Sequence, residues 1–130
     1  AEAARRFSAG KVQDLDHHIV MPGLVNSHGH AAMSLLRGYA DDLPLRSWLE
    51  NHIWPAEAKF LSEEFVRDGT RLSIAEMIRS GTTCFADMYF FDEAIATEVR
   101  NSGVRSQISF TVLDFPTPYG RTLMITFIKD

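Results

Sequence analysis

Cysteine is almost missing from this chain: Cys84 is the single one in 130 residues. An internal disulfide is therefore excluded. A lone thiol inside the run Thr82-Thr83-Cys84-Phe85-Ala86 reads as a small core residue, and it fits a reducing compartment. Long apolar runs are lacking too. None reaches the ~20 residues that a bilayer-spanning helix needs. The opening Ala1-Glu2-Ala3-Ala4-Arg5-Arg6 leads into polar sequence with no signal-peptide core. The first residue is not methionine, which suggests a chain that begins partway through a gene product. Charge of either sign is scarce as an excess: 13 Lys and Arg stand against 17 Asp and Glu, for a net charge of −4. No basic footprint for nucleic acid or for anionic lipid follows from that balance. The expectation is a cytoplasmic protein with neither nucleic acid nor membrane as a partner.

What is present is enough apolar sequence to bury a core, at 45% of residues. The length suits one domain or a piece of one. Residues 11–16, Lys-Val-Gln-Asp-Leu-Asp, alternate as a half-exposed strand would. Pro22-Gly23 punctuates the chain before a strand at residues 24–26. A helix-competent stretch, residues 31–37, ends at Gly38. A short helix is expected at residues 45–50, stopped near Trp54 because Pro55 disfavours the helical region for its predecessor. So long a connection is usually functional.

Ser62 reads as an N-cap, with Glu63 and Glu64 in the positive first turn of a helix that Gly81 ends. That helix is apolar on more than one side in its second half. Residues 82–88 form a second strand, and residues 104–113 a third. Between them Asp92 can cap a helix that Gly103 stops. The order β-α-β-α-β predicts a parallel sheet with right-handed crossovers.

The chemistry gathers at Val25-Asn26-Ser27-His28-Gly29-His30. Residues i and i+2 of a strand share a face, so His28 and His30 project two imidazoles side by side. Neutral imidazole suits Zn²⁺, and iron or copper as well. Two surface histidines at a strand end are the plainer reading of such a pair, but a strand-to-helix junction is where α/β proteins place their chemistry. His17 and His18 are adjacent and face opposite ways, which makes them poor partners for one ion. His52 reads as an exposed loop histidine.

At this point the residues resemble a known family. Met21-Pro22-Gly23-Leu24-Val25-Asn26-Ser27-His28-Gly29-His30 is similar to the entry of the first barrel strand in the amidohydrolase superfamily. Leu35-Leu36-Arg37-Gly38-Tyr39-Ala40-Asp41-Asp42-Leu43-Pro44-Leu45, Trp48-Leu49-Glu50, Ile53-Trp54-Pro55-Ala56-Glu57, Gly81-Thr82-Thr83 and Ala86-Asp87-Met88-Tyr89-Phe90-Phe91 resemble its branch of S-adenosylhomocysteine and 5′-methylthioadenosine deaminases. The likeness covers roughly residues 20 to 120.

The resemblance implies an α/β fold: the first three β-α units of a (β/α)8 TIM barrel over residues 22–130, preceded at residues 1–21 by the end of a small β-sandwich segment. A full barrel takes ~250 residues. It implies zinc, with Fe²⁺ as an alternative, held by His28 and His30 together with a histidine and an aspartate on later strands. It places the acid/base glutamate later as well, so no catalytic residue falls within this chain. The implied reaction is water attack on the purine carbon that bears the amino group, with loss of ammonia, on a small-molecule nucleoside. Guanine deaminases and triazine hydrolases share the His-x-His strand and remain alternatives.

Glu57 matches the family's acidic substrate contact, and a carboxylate accepting two hydrogen bonds suits a ribose diol; it also reads as a solvated glutamate just after Pro55. Trp54, with Trp48, could stack on a purine or anchor the loop. Arg121 falls near a family arginine that reaches the substrate, across a gap in the match. Where some members carry an arginine on the third strand, this chain has Phe110. Asp87 could orient a loop or a ligand histidine, but a capping or structural role is the plainer reading. The apolar tail at residues 123–128 departs from the polar helix expected there, as an altered reading frame would. A chain holding only part of the ligand set is expected to be a catalytically silent scaffold or weak metal binder, prone to self-association through open strand edges.

Overall fold

The computed structural model describes residues 2–111. Arg121 and the apolar run at 123–128 lie outside them, as do Val112 and Leu113 of the expected third strand. The elements follow in the order α1 (Glu2–Arg6), β1 (Leu24–Asn26), a 3-10 helix (Ala31–Leu36), α2 (Leu45–Trp48), a π-helical stretch (Leu49–Ile53), α3 (Trp54–Phe60), α4 (Glu63–Arg79), β2 (Thr82–Tyr89), α5 (Asp92–Ser102) and β3 (Arg105–Phe110). The three strands make one parallel sheet in the order β1-β2-β3.

Local chemistry sets the boundaries. Ser62 caps α4 by accepting from the Phe65 backbone N–H at 3.1 Å. Gly81 (φ 86°) and Gly103 (φ 73°) supply the left-handed turns that end α4 and α5. Asp92 is not the cap of α5. Phe91 occupies that position in the left-handed region, with φ 56° and ψ 50°, and Asp92 is the first helical residue. There its carboxylate lies in the positive first turn.

Two further expectations are corrected. Pro55 does not stop the short helix: Trp54 is helical at φ −60°, ψ −41°. Proline has no N–H to donate to the carbonyl four residues back. The chain absorbs that loss by widening into a π turn just before it, where the Trp54 N–H reaches Leu49 O. Residues 11–16 form no strand. A strand needs a neighbour for its backbone ladder, and none among the described residues lies beside this segment.

The helices cover one face of the sheet. Alternate residues of β2, Phe85, Asp87 and Tyr89, are buried on that side. Tyr89 joins Ala32, Val66, Ala94 and Ile95 in one apolar cluster, and Phe85 joins Ala31 and Ile74 in a second. The opposite face is open, with Val25 67% and Met88 43% exposed. At the start of the sheet Thr83 is an extra residue in β2, opposite the step from Leu24 to Val25. Gly23 lies directly beneath it, where a Cβ would collide with the Thr83 side chain.

Candidate metal centre

β1 ends at Asn26, whose side-chain oxygen accepts from the His28 N–H at 3.3 Å and shapes the exit from the strand. Gly29 then lies against the end of β2, with its carbonyl accepting from the Met88 N–H at 3.3 Å. These contacts put His28 and His30 at the carboxyl ends of β1 and β2. Their ring centroids are 5.1 Å apart and the rings are inclined at 80°. A Zn–N bond of about 2.1 Å places a ring centroid about 3.2 Å from the ion, so two imidazoles at a tetrahedral angle hold their centroids about 5.2 Å apart. The observed separation of the pair matches that spacing.

His30 is held by the backbone of β2. Its Nδ1 lies 2.6 Å from the carbonyl oxygen of Met88. A carbonyl only accepts, so Nδ1 donates, and in the neutral ring Nε2 keeps the lone pair that a cation would take. Metal-ligating histidines commonly have their second nitrogen occupied in this way. His28 is exposed and His30 half-buried. Among the described residues no third His, Cys, Asp or Glu completes a metal-binding group.

Asp87 holds the segment that follows the pair. It is buried, and its Oδ1 accepts from the Ala31 N–H at 2.9 Å and the Met88 N–H at 3.1 Å. The first bond caps the 3-10 helix from another strand, since His30 at its N-cap makes no side-chain cap. Burial raises the Asp87 pKa, and the Ala31 N–H, the charge of His30 and the Met88 N–H oppose the rise.

Glu57, in α3, reaches the same end of the sheet. Its Oε1 accepts from the Tyr89 hydroxyl at 2.6 Å. Burial pushes its carboxyl above the usual range, against the Tyr89 hydrogen bond and the charge of His30. Tyr89 in turn stands 6.4 Å from His30, ring centroid to ring centroid. So a chain of contacts runs from His28 through His30 and Tyr89 to Glu57. Trp54 is on the same helix as Glu57 but 44% exposed. Phe110 ends β3 with much of its ring exposed.

Sequence reasoning missed Tyr89 and the Met88 carbonyl. The first carried a weak signal, a tyrosine at a strand end. The second has none, because any residue supplies a carbonyl.

Parallel β-α units with two imidazoles at the strand ends define the class: an α/β protein with a candidate site at the carboxyl ends of its strands. The Amidohydrolase family model matches residues 19–128. This chain belongs to the amidohydrolase family. It is 61% identical over 107 residues to a 5-methylthioadenosine/S-adenosylhomocysteine deaminase of Saccharophagus degradans, covering 82% of this chain and 24% of that protein. It is 56% identical over 107 residues to a 5′-deoxyadenosine deaminase of Methanosarcina barkeri, with coverage of 82% and 24%. Among solved structures, an adenosine deaminase from Xanthomonas campestris with bound zinc superimposes with a TM-score of 0.76 at 51% identity, over 79% of this chain and 24% of that one. The chain thus spans about a quarter of the length of the curated relatives it matches. Among the described residues, no helix is long and apolar enough to cross a membrane.

Proposed function

We propose that this chain is the amino-terminal part of a zinc-dependent deaminase that hydrolyses an adenosine-type nucleoside, S-adenosylhomocysteine or 5′-methylthioadenosine, to the inosine-type product and ammonia. The observation that carries the reading is the 5.1 Å approach of His28 and His30, with Met88 fixing the donor nitrogen of His30. The names of the relatives above support the substrate class. Residues 22–130 would be the first three units of a (β/α)8 barrel. Residues 1–21 would belong to a separate sandwich segment; among the described residues, none of this stretch joins the two buried clusters, which supports that division. A cytoplasmic setting suits the lone thiol.

In this reading His28 and His30 hold the ion. Bound zinc supplies Lewis acidity and brings the pKa of water down to about 7; Fe²⁺ also accepts imidazole donors. Asp87 keeps the 3-10 helix, and with it His30, in place against β2. Glu57 accepts hydrogen bonds from the ribose diol, and Trp54 is the candidate to stack on the purine. Arg121 stays a candidate for a second substrate contact.

The downstream coding sequence tests the reading most cheaply. A later His-x-x-Glu and a strand-terminal aspartate are expected, and their absence would leave the pair without a catalytic site. In the full-length protein, ammonia release from 5′-methylthioadenosine is expected and should disappear with His28→Ala.

A second reading concerns the 130 residues by themselves. Two donors and an open sheet face favour a silent scaffold that binds zinc weakly and self-associates. The purified 130-residue chain with added zinc should release no ammonia from adenosine-type nucleosides; measurable turnover would contradict that.

A further inference from the structure

The end of β2 acts on both halves of the site through consecutive residues. The Met88 carbonyl accepts from Nδ1 of His30 at 2.6 Å, and the Tyr89 hydroxyl donates to Oε1 of Glu57 at 2.6 Å. Glu57 lies 32 residues earlier, on a helix that belongs to neither strand. Successive strand residues point to opposite faces, so one dipeptide can hold one group by its backbone and another by its side chain.

We propose that Tyr89 is a positioning residue: it occupies Oε1 of Glu57 and thereby turns Oε2 toward the ribose diol of the substrate, in register with the histidine pair. The proposal rests on the reading of Glu57 as the diol contact.

Three observations support it. Tyr89 is 5% exposed and its ring is packed in the Ala32, Val66, Ala94 and Ile95 cluster, so the hydroxyl is a fixed point and not a mobile arm. Among the described residues, Oε1 takes the Tyr89 bond and Oε2 takes none. Burial, and next the carboxylate it binds, push the Tyr89 hydroxyl far above the usual phenol range. The 2.6 Å contact sets its role, since a phenol hydroxyl can donate where a carboxylate oxygen only accepts. A freely rotating glutamate would lose rotamer entropy on meeting a diol, whereas one already held does not, and the gain should appear in substrate binding rather than in the chemical step.

The test uses Tyr89→Phe in the full-length protein, which keeps the ring in the core and removes only the hydroxyl. The substrates are 5′-methylthioadenosine and its 2′,3′-dideoxy counterpart. KM for the diol substrate should rise about tenfold to a hundredfold, as for loss of a hydrogen bond to a charged group. The kcat and zinc content should stay near wild type, and KM for the dideoxy substrate should not change. Calorimetric titration of the zinc-free protein with the diol-bearing product should show the same loss of affinity without turnover.

An equal rise for both substrates would make Tyr89 a packing residue and overturn the proposal, as would no change for either. Glu57→Gln separates the two levels. If it abolishes the preference for the diol while Tyr89→Phe does nothing, the positioning role alone fails. If it leaves the preference intact, the Glu57 reading fails and the proposal with it.

Discussion

Nδ1 of His30 and the carbonyl oxygen of Met88 meet at 2.6 Å across the gap between β1 and β2. The contact fixes a tautomer with no help from any side chain. In the metal-free chain the nitrogen NMR signature of the neutral His30 ring should show Nδ1 protonated and Nε2 bare. Zinc should then bind with loss of the Nε2 lone-pair signal. In the full-length protein, His28→Ala or His30→Ala should lower zinc affinity by at least the tenfold to hundredfold typical of disturbing a partner behind the ligands. Elemental analysis checks this, and zinc content unchanged in both variants would remove the pair from the metal site.

Gly69 offers a case where two effects of opposite sign compete. Alanine inside a helix is favoured over glycine by about 1 kcal/mol. But a Cβ at residue 69 would collide with the backbone oxygen, Cα and carbonyl carbon of Ala32. That neighbour is backbone of the 3-10 helix, tied to Asp87 through Ala31, and it has no flexible end to swing away. Overpacking typically costs about 1–3 kcal/mol, so the collision wins. Gly69→Ala should lower stability in urea denaturation and weaken zinc retention with it, because the displaced segment begins at His30.

How much of this was legible in the sequence depends on how local the cause was. Ser62, Gly81 and Gly103 act through their own backbone or one turn away, and each marks the boundary expected of it. The histidine pair was legible because a spacing of two fixes a shared face. Pro55 was misread because its effect depends on whether the preceding turn can widen, and a π turn formed there. Phe91 took the cap position from Asp92 by adopting a positive φ that no aromatic residue advertises. The Tyr89–Glu57 bond joins residues 32 apart; nothing local announces it, and only the fold brings the two side chains together.

Asp87 should matter through one oxygen. Oδ1 accepts from Ala31 and Met88, while Oδ2 is buried with no partner among the described residues. Asp87→Ala removes both bonds and leaves the Ala31 N–H without its cap, which should cost about 1–3 kcal/mol. Asp87→Asn keeps an acceptor at the Oδ1 position, so it should retain most of the stability. Urea midpoints of the two variants test the difference, and equal losses would show that the negative charge, not the acceptor, holds the segment.

Glu98 gives the fold a defined acid response. Its side chain is only 4% exposed and accepts from Arg71 at 2.8 and 3.1 Å and from Arg67 at 3.1 Å, which clamps α5 to α4. The Arg71 hydrogen bond is the largest cause holding the Glu98 carboxyl below its ordinary value of 4.5, with burial opposing and Arg67 adding to it. A carboxyl depressed in the folded state binds its proton more readily in the unfolded chain. Its contribution is therefore fully present above about pH 4.5, where the unfolded carboxyl is ionised, and is lost as pH falls through the lower folded value. Wild type should be more stable than Glu98→Gln at pH 6, and the gap between them should close on acidification below pH 4.5. Denaturation midpoints from pH 6 to pH 3 measure that gap. A gap that stayed constant over this range would mean that the two arginines grip the amide as well as the carboxylate, and that charge contributes nothing to the clamp.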